Sequence, residues 1–510
     1  MLDRLLSLYM RSLQALLAGA LASSGSLARD FCTSSEKCWP SSSVWATFNS
    51  SVNGRLVAPR PPAWLCHDPN YDEAACNNAK ANWNSSFWRS DQVGAMQSTV
   101  WESLGCDIDT PRNQTCKQGY VPTYSVEAQE PSDEISFTEK FVADGCSSGS
   151  GIPAVTLGAA EQWRDVYKAA DDRKVVVVGG AANSVGAAGG WLQGGGHSPL
   201  SVLHGMGVDN VLQFTVVKAD GKIVKANACQ NKDLFWALRG GGGGTWGVTL
   251  DVTYKTHPAL SGIVGLLFIS NVTSTEKLTN LTEVFFRIRG YAFWLSSVSF
   301  GFLAIHPNAP DVATTNSSLL PLFDWATQNP GTQILSVGIL HPTFYSFFTR
   351  WITDVGIAAT NWIGGRLISK SALSKNSAKL ADLAVNIPPY MSTSINIVGG
   401  GAVDKVDPES TGLNPQWRNH ALVTWNPGTG WSDDTPASTV KLFKASVTNI
   451  TQQLGKIGGL DQAAYFNEAD PQEPQWKKAF FGKHYDRLLK IKHKVDPQGV
   501  FTCNRCIGSD

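Results

Sequence analysis

Two glycine clusters, at residues 194–196 and 240–244, are the strongest signs of chemistry in this chain. Glycine allows positive φ angles and close approach of the backbone to a ligand, but it costs conformational entropy on folding. A flexible linker is the alternative explanation, and it is disfavoured because linkers have polar flanks whereas apolar residues flank both clusters. We therefore expect loops whose backbone N–H groups line a large flat or anionic ligand.

His197 and the Cys503-x-x-Cys506 motif are the other candidates for chemistry. His197 directly follows the first cluster and could face a cofactor or a substrate, although a lone histidine in a glycine loop more often has a structural role. The two cysteines could be redox-active or bind zinc, but no second pair of cysteines or histidines at ligand spacing accompanies them. We expect structural disulfides and no metal site.

The segments around the clusters predict the elements that hold them. A run of valines at residues 175–178 predicts a buried strand that enters a glycine turn. Residues 211–226 predict two strands joined by a turn at Asp220-Gly221. Residues 231–238 carry apolar side chains at helical spacing, so they predict a short helix with Asn231 as a possible N-cap.

Gly242, Gly244 and Gly247 satisfy the G-x-G-x-x-G spacing of dinucleotide-binding Rossmann folds. That motif must follow a strand and open a helix, so that the diphosphate meets the helix N-terminus. Here the predicted order is helix, glycines and then the strand-like segment VTLDVTYKTHP, and a helix C-terminus carries negative partial charge. The order of elements therefore rejects a Rossmann fold.

Several longer motifs surround the clusters: residues 178–190, GWLQGGGHSPLS, GVDNV and DLFWALRGGGGGTWGV, then far along the chain YFNEAD and FFGKHYDRLLKIKHKVDPQGVF. Together they resemble the flavin-binding core and closing motif of the berberine-bridge-enzyme-like oxidoreductases, within the vanillyl-alcohol-oxidase superfamily, and particularly its secreted fungal members. The resemblance covers most of the chain after Cys32. It implies FAD as cofactor and an α+β fold with a two-part, discontinuous PCMH-type FAD-binding domain and a substrate domain.

The resemblance, together with the N-terminal and cysteine-rich segments, predicts a division of the chain. The parts are a signal peptide at 1–22, a disulfide-rich lead-in at 23–117, the FAD-binding domain at 118–260, the substrate domain at 261–475 and a return to the FAD-binding domain at 476–510. Alternating apolar and polar segments such as SVSFGFLAIH, TQILSVGILH, STSINIVGG and HALVTWNP predict an antiparallel sheet covered by helices in the substrate domain.

Composition and the N-terminus predict a secreted protein. Charged residues make up 16% of the chain and its net charge is zero, which gives no sign of nucleic-acid or membrane-surface binding. Residues 1–22 combine Arg4 and Arg11 with an apolar stretch, as a signal peptide does, and that stretch is shorter than the roughly 20 residues that span a bilayer. Ten cysteines and seven N-glycosylation acceptors agree with secretion. The acceptors are Asn49, Asn84, Asn113, Asn271, Asn280, Asn316 and Asn449.

By resemblance, the first FAD subdomain is truncated near residues 128–135. VPTYSVEA at residues 121–128 is similar to the family's first flavin-domain strand, and ISFTEKFVADGC at residues 135–146 to a position well downstream. QEPSDE replaces the intervening helix, strand and G-H-x-x-x-G-R-S-type loop, which carries phosphate-binding backbone and a covalently linked histidine. Ala181-Ala182-Asn183 occupies the loop of the family's second attachment site, a cysteine. We therefore expect noncovalent FAD.

The remaining site predictions concern catalysis and cofactor contacts. Alcohol oxidation needs a base for the hydroxyl proton while hydride leaves for the flavin, and a tyrosine serves when positive charge lowers its pKa from about 10. By resemblance Tyr465 of YFNEAD is this base, and a half-buried strand tyrosine is the alternative. Tyr485 follows His484, where the family usually has Asn-Tyr. The residues predicted to bind FAD are Gly179, Gly180, Ser184, Val185, Gly186, Gly189, Gly190, Gly194, Gly195, Gly196, His197, Gly247, Val248 and Tyr485.

The sequence thus predicts a secreted, monomeric FAD-dependent oxidoreductase that oxidises a hydroxyl group of a small molecule, a carbohydrate or secondary metabolite, with oxygen as electron acceptor. No motif identifies the substrate, and the scattered tryptophans are better explained by packing than by sugar stacking. The alternatives are a non-catalytic, flavin-free remnant or binding protein, and a truncated gene model of such an oxidase.

Overall fold

The computed structural model describes residues 32–102, 106–127, 134–147, 151–288, 291–296, 298–352, 354, 357–432 and 434–509. The predicted signal peptide and most of QEPSDE lie outside these residues. The strands are β1 (Leu56–Val57), β2 (Ser125–Val126), β3 (Ile135–Phe141), β4 (Ile152–Gly158), β5 (Val175–Val176), β6 (Val211–Val217), β7 (Ile223–Asn227), β8 (Val248–Lys255), β9 (His257–Pro258), β10 (Ile263–Asn271), β11 (Tyr291–Ser296), β12 (Ser299–Pro307), β13 (Gln333–His341), β14 (Asn361–Ile363), β15 (Arg366–Ser369), β16 (Met391–Ile397) and β17 (Ala421–Gly430).

Helices cover the two large sheets described below. In the described ranges, no helix has the length and apolar content needed to cross a membrane. They are α1 (Ser42–Ser51), α2 (Glu73–Asn82), α3 (Ser86–Ser90), α4 (Trp163–Asp172), α5 (Gly190–Gln193), α6 (Ser201–His204), α7 (Lys232–Leu238), α8 (Thr275–Ile288), α9 (Val312–Ser317), α10 (Leu320–Gln328), α11 (Phe344–Trp351), α12 (Lys370–Lys375), α13 (Ser377–Val385), α14 (Ala437–Ile457) and α15 (Tyr485–Val495).

The first sheet is antiparallel, with strand order β3-β4-β8-β6-β7. It confirms the predicted hairpin, since β6 pairs with β7 and Gly221 takes a φ of +78° in the turn. The predicted helix is confirmed as α7, although the Asn231 side chain donates to the carbonyl of Lys225 instead of capping it. Helix α4 packs on β5 and α11 with a buried face that includes Trp163 and Val166, and the Trp163 ring lies 6.0 Å from that of Tyr254 in β8.

Two predicted strands differ from expectation. The valine run forms a strand only at β5, which pairs with β9, and continues as buried loop. In the described residues, VPTYSVEA contributes β2, which pairs with β1 of the lead-in and lies outside the five-stranded sheet; its place as the first flavin-domain strand stays a prediction.

The second sheet has the order β13-β10-β12-β11-β16-β17-β14, with β15 also paired to β17. All of its pairs are antiparallel, and the four apolar–polar segments named above form β12, β13, β16 and β17. Helices α8 and α13 pack together, and α14 lies on β17. The α+β fold with an antiparallel, helix-covered substrate sheet is therefore confirmed.

The C-terminal segment returns to the first sheet's glycine loops. Helix α15 packs against α7, and the buried Lys492 Nζ donates to the carbonyl of Thr245 at 2.8 Å and to Asp496. The cysteines form structural disulfides, as expected, including one at the C-x-x-C motif. The pairs are Cys32–Cys38, Cys66–Cys76, Cys106–Cys116, Cys146–Cys229 and Cys503–Cys506.

Candidate active site

The first glycine loop and the YFNEAD segment meet at the Tyr465 side chain, which is 1% exposed. Its hydroxyl donates to the carbonyl of Trp191 at 3.3 Å and accepts from Asn467 Nδ2 at 2.8 Å. Asn467 Nδ2 also donates to the carbonyl of Gly190 at 2.9 Å. These hydrogen bonds fix the end of the substrate domain on the loop that precedes His197.

His197 and Glu468 form a hydrogen-bonded pair at this junction. The Nε2 atom of His197 lies 2.8 Å from Glu468 Oε1, and the imidazole meets the Tyr465 ring edge to face at 5.0 Å. The two side chains are 18% and 26% exposed. In the part of the chain that the structure describes, no hydrogen bond engages Nδ1 of His197, so a neutral imidazole that donates through Nε2 keeps Nδ1 as an acceptor.

Tyr465 does not have the electrostatic surroundings that the sequence analysis required. Burial raises its pKa well above the usual range, and the Glu468 carboxylate raises it further, whereas hydrogen bonds from Asn467 and the backbone of Gly196 act in the opposite direction. The expectation of a lowered tyrosine pKa is therefore wrong in this arrangement, because the charge that acts on the phenol is negative. The role of Tyr465 as base stays a prediction.

The predicted glycines of the first loop divide into open and packed positions. A Cβ atom added at Gly186, Gly189 or Gly190 would meet no atom within 4 Å, so each residue borders open space, and we call these three positions the open glycine face. At Gly194 the added atom would lie 2.5 Å from Asn467. An open glycine face is what close approach of a flat ring system requires.

Gly195 and Gly196 line the junction beneath Tyr465. Both have positive φ, +132° and +71°. Added Cβ atoms would come within 2.8 Å of Leu413 and 2.9 Å of the Trp191 ring. These two glycines therefore serve the turn that leads into His197.

Gly179 and Gly180 lie in the interior, so the structure explains them by packing. A Cβ atom at Gly179 would lie 2.3 Å from the Trp163 ring, and one at Gly180 would lie 3.0 Å from Trp191. The Tyr167 hydroxyl donates to the carbonyl of Gly180 at 2.8 Å. Because protein atoms surround Gly179 and Gly180, the structure shows no open space through which FAD could contact them.

The second glycine cluster packs on the first. The amide of Gly242 donates to the carbonyl of Gln193 at 2.9 Å, and a Cβ atom at Gly243 would lie 2.9 Å from the Cα of Gly190. Gly240, with a φ of +114°, would place its Cβ atom 2.4 Å from the Leu413 backbone. These glycines permit contact between backbone segments, and the expectation that the cluster lines a ligand stays a prediction.

The last predicted cofactor residues also have protein partners. A Cβ atom at Gly247 would lie 2.5 Å from the carbonyl of Val217, and Val248 pairs with Val217 at the start of β8. Tyr485 is buried, with its ring 5.5 Å from that of Trp476. His484 Nδ1 faces the Leu413 carbonyl at 2.9 Å. The structure shows why these residues are needed for packing and leaves their contact with FAD a prediction.

Ser184 and its neighbour Asn183 bind a carboxylate that the sequence analysis missed. Asp354, in the connection after α11, accepts from the amide of Asn183 at 2.5 Å and from the Ser184 hydroxyl at 2.8 Å. Nothing in the sequence near Asp354 marks it. Glu468 was also missed, although its place in YFNEAD, three residues after Tyr465, was available as a signal.

FAD fits the geometry of this region. The open face at Gly186, Gly189 and Gly190 would take a flat ring system, the donors at Asn183 and Ser184 suit an anionic group, and His197 and Tyr465 stand at the far end of the same loop. Asn183 and Ser184 already donate hydrogen bonds to Asp354, so a side chain of the protein itself occupies this part of the site.

Two family descriptions match this chain, "FAD binding domain" over residues 153–227 and "Berberine and berberine like" over residues 464–508. An uncharacterized FAD-linked oxidoreductase of Arthroderma benhamiae is 35% identical over 542 aligned positions, covering 94% of each chain. The FAD-linked oxidoreductase patO of Aspergillus clavatus is 30% identical, over 94% of this chain and 92% of the relative. An alignment of 542 positions exceeds the 510 residues here, so the Arthroderma relative carries residues that this chain lacks.

Solved structures agree with these relatives. The VAO-type flavoprotein MtVAO713 from Myceliophthora thermophila C1 superimposes with a TM-score of 0.85 at 26% identity, covering 94% of this chain and 97% of that chain. The berberine bridge enzyme of Eschscholzia californica shares the fold, with a TM-score of 0.57 at 18% identity, over 70% of this chain and 77% of that chain. The protein therefore belongs to the berberine-bridge-enzyme-like FAD-linked oxidoreductases of the vanillyl-alcohol-oxidase type, with FAD as its cofactor.

Proposed function

We propose that this oxidoreductase oxidises a hydroxyl group of a small molecule, a carbohydrate or secondary metabolite, to a carbonyl, and that oxygen is the final electron acceptor. The observation that carries the proposal is the His197–Glu468 pair, which stands beside Tyr465 at one end of an open glycine face. A hydroxyl cannot lose hydride readily while its proton is in place, so oxidation needs a proton acceptor at this position.

His197 is the residue that we assign to this task. Its Nε2–H donates to Glu468, which orients the ring and stabilises the imidazolium that forms when Nδ1 accepts the hydroxyl proton. Tyr465 is a positioning residue, because its hydroxyl is held by Trp191 and Asn467 and its ring contacts the imidazole. Bound FAD supplies the acceptor for the hydride.

The test is anaerobic mixing of the FAD-loaded protein with a panel of sugars, aromatic alcohols and alkaloid alcohols, monitored by loss of flavin absorbance. With a substrate in hand, His197→Gln should slow flavin reduction about 10²-fold or more, since general base catalysis contributes that much. His420→Gln is the matched control, because His420 pairs with Asp404 at 3.0 Å but is 71% exposed. An unchanged rate in His197→Gln, or no reduction by any hydroxyl compound, contradicts the proposal.

Secretion and a monomeric state complete the proposal. Five disulfides account for the cysteines, which suits an oxidising compartment. Five of the seven glycosylation acceptors, Asn84, Asn113, Asn271, Asn280 and Asn449, are exposed. Expression in a secreting host followed by glycosidase treatment should lower the apparent mass. Light scattering of the product should give the monomer mass.

A flavin-free binding protein is the competing function. The contact of Asp354 with Asn183 and Ser184 favours it, because the carboxylate occupies donors of the glycine loop. Purified protein that shows no flavin absorbance, and gains none when FAD is added, would establish that alternative. Sequencing the transcript across residues 128–135 would show whether the short connection belongs to the expressed protein.

A further inference from the structure

Asp354 lies in the connection between α11 and β14, and it reaches across to the glycine loop that follows β5. One carboxylate oxygen accepts from the amide of Asn183 at 2.5 Å and lies 3.4 Å from Asn183 Nδ2. The other accepts from the Ser184 hydroxyl at 2.8 Å and from the Ser184 amide at 3.3 Å. Two successive backbone N–H groups and one hydroxyl therefore point at a single negative charge.

Successive N–H groups of this kind form a nest that binds anions. Burial by itself raises the pKa of Asp354, but hydrogen bonds from Ser86, Ser184 and Asn183 outweigh it and lower the pKa below its ordinary value. The carboxylate is thus held in its charged form by donors from the lead-in and from the glycine loop. The donor set selects negative charge, and Asp354 is the anion that occupies it here.

The nest adjoins the open face of the candidate site. Gly186, the first residue of that face, lies two positions after Ser184 on the same loop, and a Cβ atom there would meet nothing within 4 Å. A ligand with a flat part over residues 186–190 and a phosphate-bearing part beside it would therefore bring phosphate oxygens to the donors of Asn183 and Ser184. Two anions cannot share those donors.

We propose that Asp354 is an internal competitor of the cofactor's diphosphate: it occupies the Asn183–Ser184 nest in the free protein and must leave before a diphosphate can bind there. This inference concerns cofactor binding and stands apart from the proposed hydroxyl oxidation. When only a minor fraction of the protein molecules is in the state that can bind a ligand, the apparent affinity for that ligand is reduced by that fraction. Removing the carboxylate therefore raises affinity for a diphosphate.

The experiment is calorimetric titration of Asp354→Asn and Asp354→Ser with inorganic pyrophosphate and with FAD, beside the native protein. We expect both variants to bind both ligands at least about tenfold more tightly than the native protein. A carboxylate that occupies about nine tenths of the sites lowers the apparent affinity about tenfold, and the variants remove it. Asp324→Asn, an exposed position on α10, removes the same unit of charge and should bind as the native protein does. Adding Ser184→Ala to Asp354→Asn should cancel much of the gain.

Equal or weaker pyrophosphate binding in both Asp354 variants would overturn the proposal and show that the carboxylate only ties two loops together. A gain that survives Ser184→Ala would also overturn it, because the anion would then lie elsewhere. If a variant is unfolded by circular dichroism, refolding by pyrophosphate supports the proposal, since the ligand replaces the missing anion, and failure to refold contradicts it.

Discussion

At the scale of single residues, the site depends on which charge stands beside which acid or base. Tyr465 is buried beside the Glu468 carboxylate, so its phenol is harder to ionise, whereas His197 Nε2 is hydrogen-bonded to the same carboxylate at 2.8 Å. One neighbour, Glu468, therefore contacts both candidates for the base: it disfavours ionisation of the phenol and it holds the imidazole by a hydrogen bond.

Tyr465→Phe separates the two candidates. We expect flavin reduction to slow by less than in His197→Gln, about tenfold, with an unchanged pH profile, because a positioning hydroxyl is lost and the proton acceptor remains. Stopped-flow reduction at several pH values measures both effects. A loss of about 10²-fold or more, with FAD still bound, would return the role of base to Tyr465.

His257 predicts an acid-sensitive fold. Burial, together with the nearby His204 and Lys255, lowers its pKa from 6.5 to about 4. A pKa lower in the folded than in the unfolded state means that the unfolded chain binds the proton more tightly, so the full stability is present above pH 6.5 and is lost as pH falls towards 4.

Urea unfolding at pH 7.5 and pH 5 measures this loss. In His257→Gln, which removes the titration and keeps a donor for Asn210 Oδ1, the drop in unfolding free energy between the two pH values should be smaller than in the native protein. His493→Gln, on the surface of α15, serves as the comparison. The same drop in native protein and His257→Gln would refute the assignment.

At the scale of elements, the two glycine loops have different tasks. Gly240 has a positive φ and lies against the Leu413 backbone, so it allows two chain segments to touch, whereas Gly186 borders open space. Glycine content alone does not reveal this difference, because both uses need a missing side chain.

Gly240→Ala and Gly186→Ala form a matched pair. The first should lower the free energy of unfolding by about 2 kcal/mol or more, because the new methyl group meets backbone that cannot move away. The second should leave stability within about 0.5 kcal/mol and weaken FAD binding, since its methyl group projects into the open face. Urea unfolding and flavin fluorescence quenching measure the two effects, and the reverse pattern would exchange the tasks of the loops.

At the scale of the whole molecule, the resemblance implies a shortened first FAD subdomain, and we expect this shortening to weaken cofactor binding. By that resemblance, the loop with the attachment histidine has no counterpart here, and Ala181-Ala182-Asn183 stands where the attachment cysteine is expected. Each hydrogen bond to a charged group that is not made forfeits about 1.5–3 kcal/mol, and each 1.4 kcal/mol is about a tenfold change in affinity.

We therefore expect FAD to be noncovalent and to dissociate easily. Acid precipitation should leave all flavin in the supernatant, and gel filtration of the native holoprotein should lose flavin progressively. Flavin that stays with the denatured polypeptide would prove a covalent bond and refute the prediction.

The sequence by itself determined the family, the cofactor and the class of fold. Those conclusions rest on local patterns: apolar periodicity predicts the hairpin β6–β7, helix α7 and the strands of the substrate sheet, and contiguous motifs carry the resemblance to the family. Such patterns are readable because strands and short helices are set largely by residues close in sequence.

Only the tertiary structure decided which residues meet. The His197–Glu468 pair joins residues 271 positions apart, and the Asp354 contact with Asn183 joins residues 171 positions apart. It also decided that Gly179 and Gly240 serve packing whereas Gly186 borders open space. Contacts of this kind depend on how separate elements dock, and the burial and charge that set the pKa of Tyr465 arise from that docking.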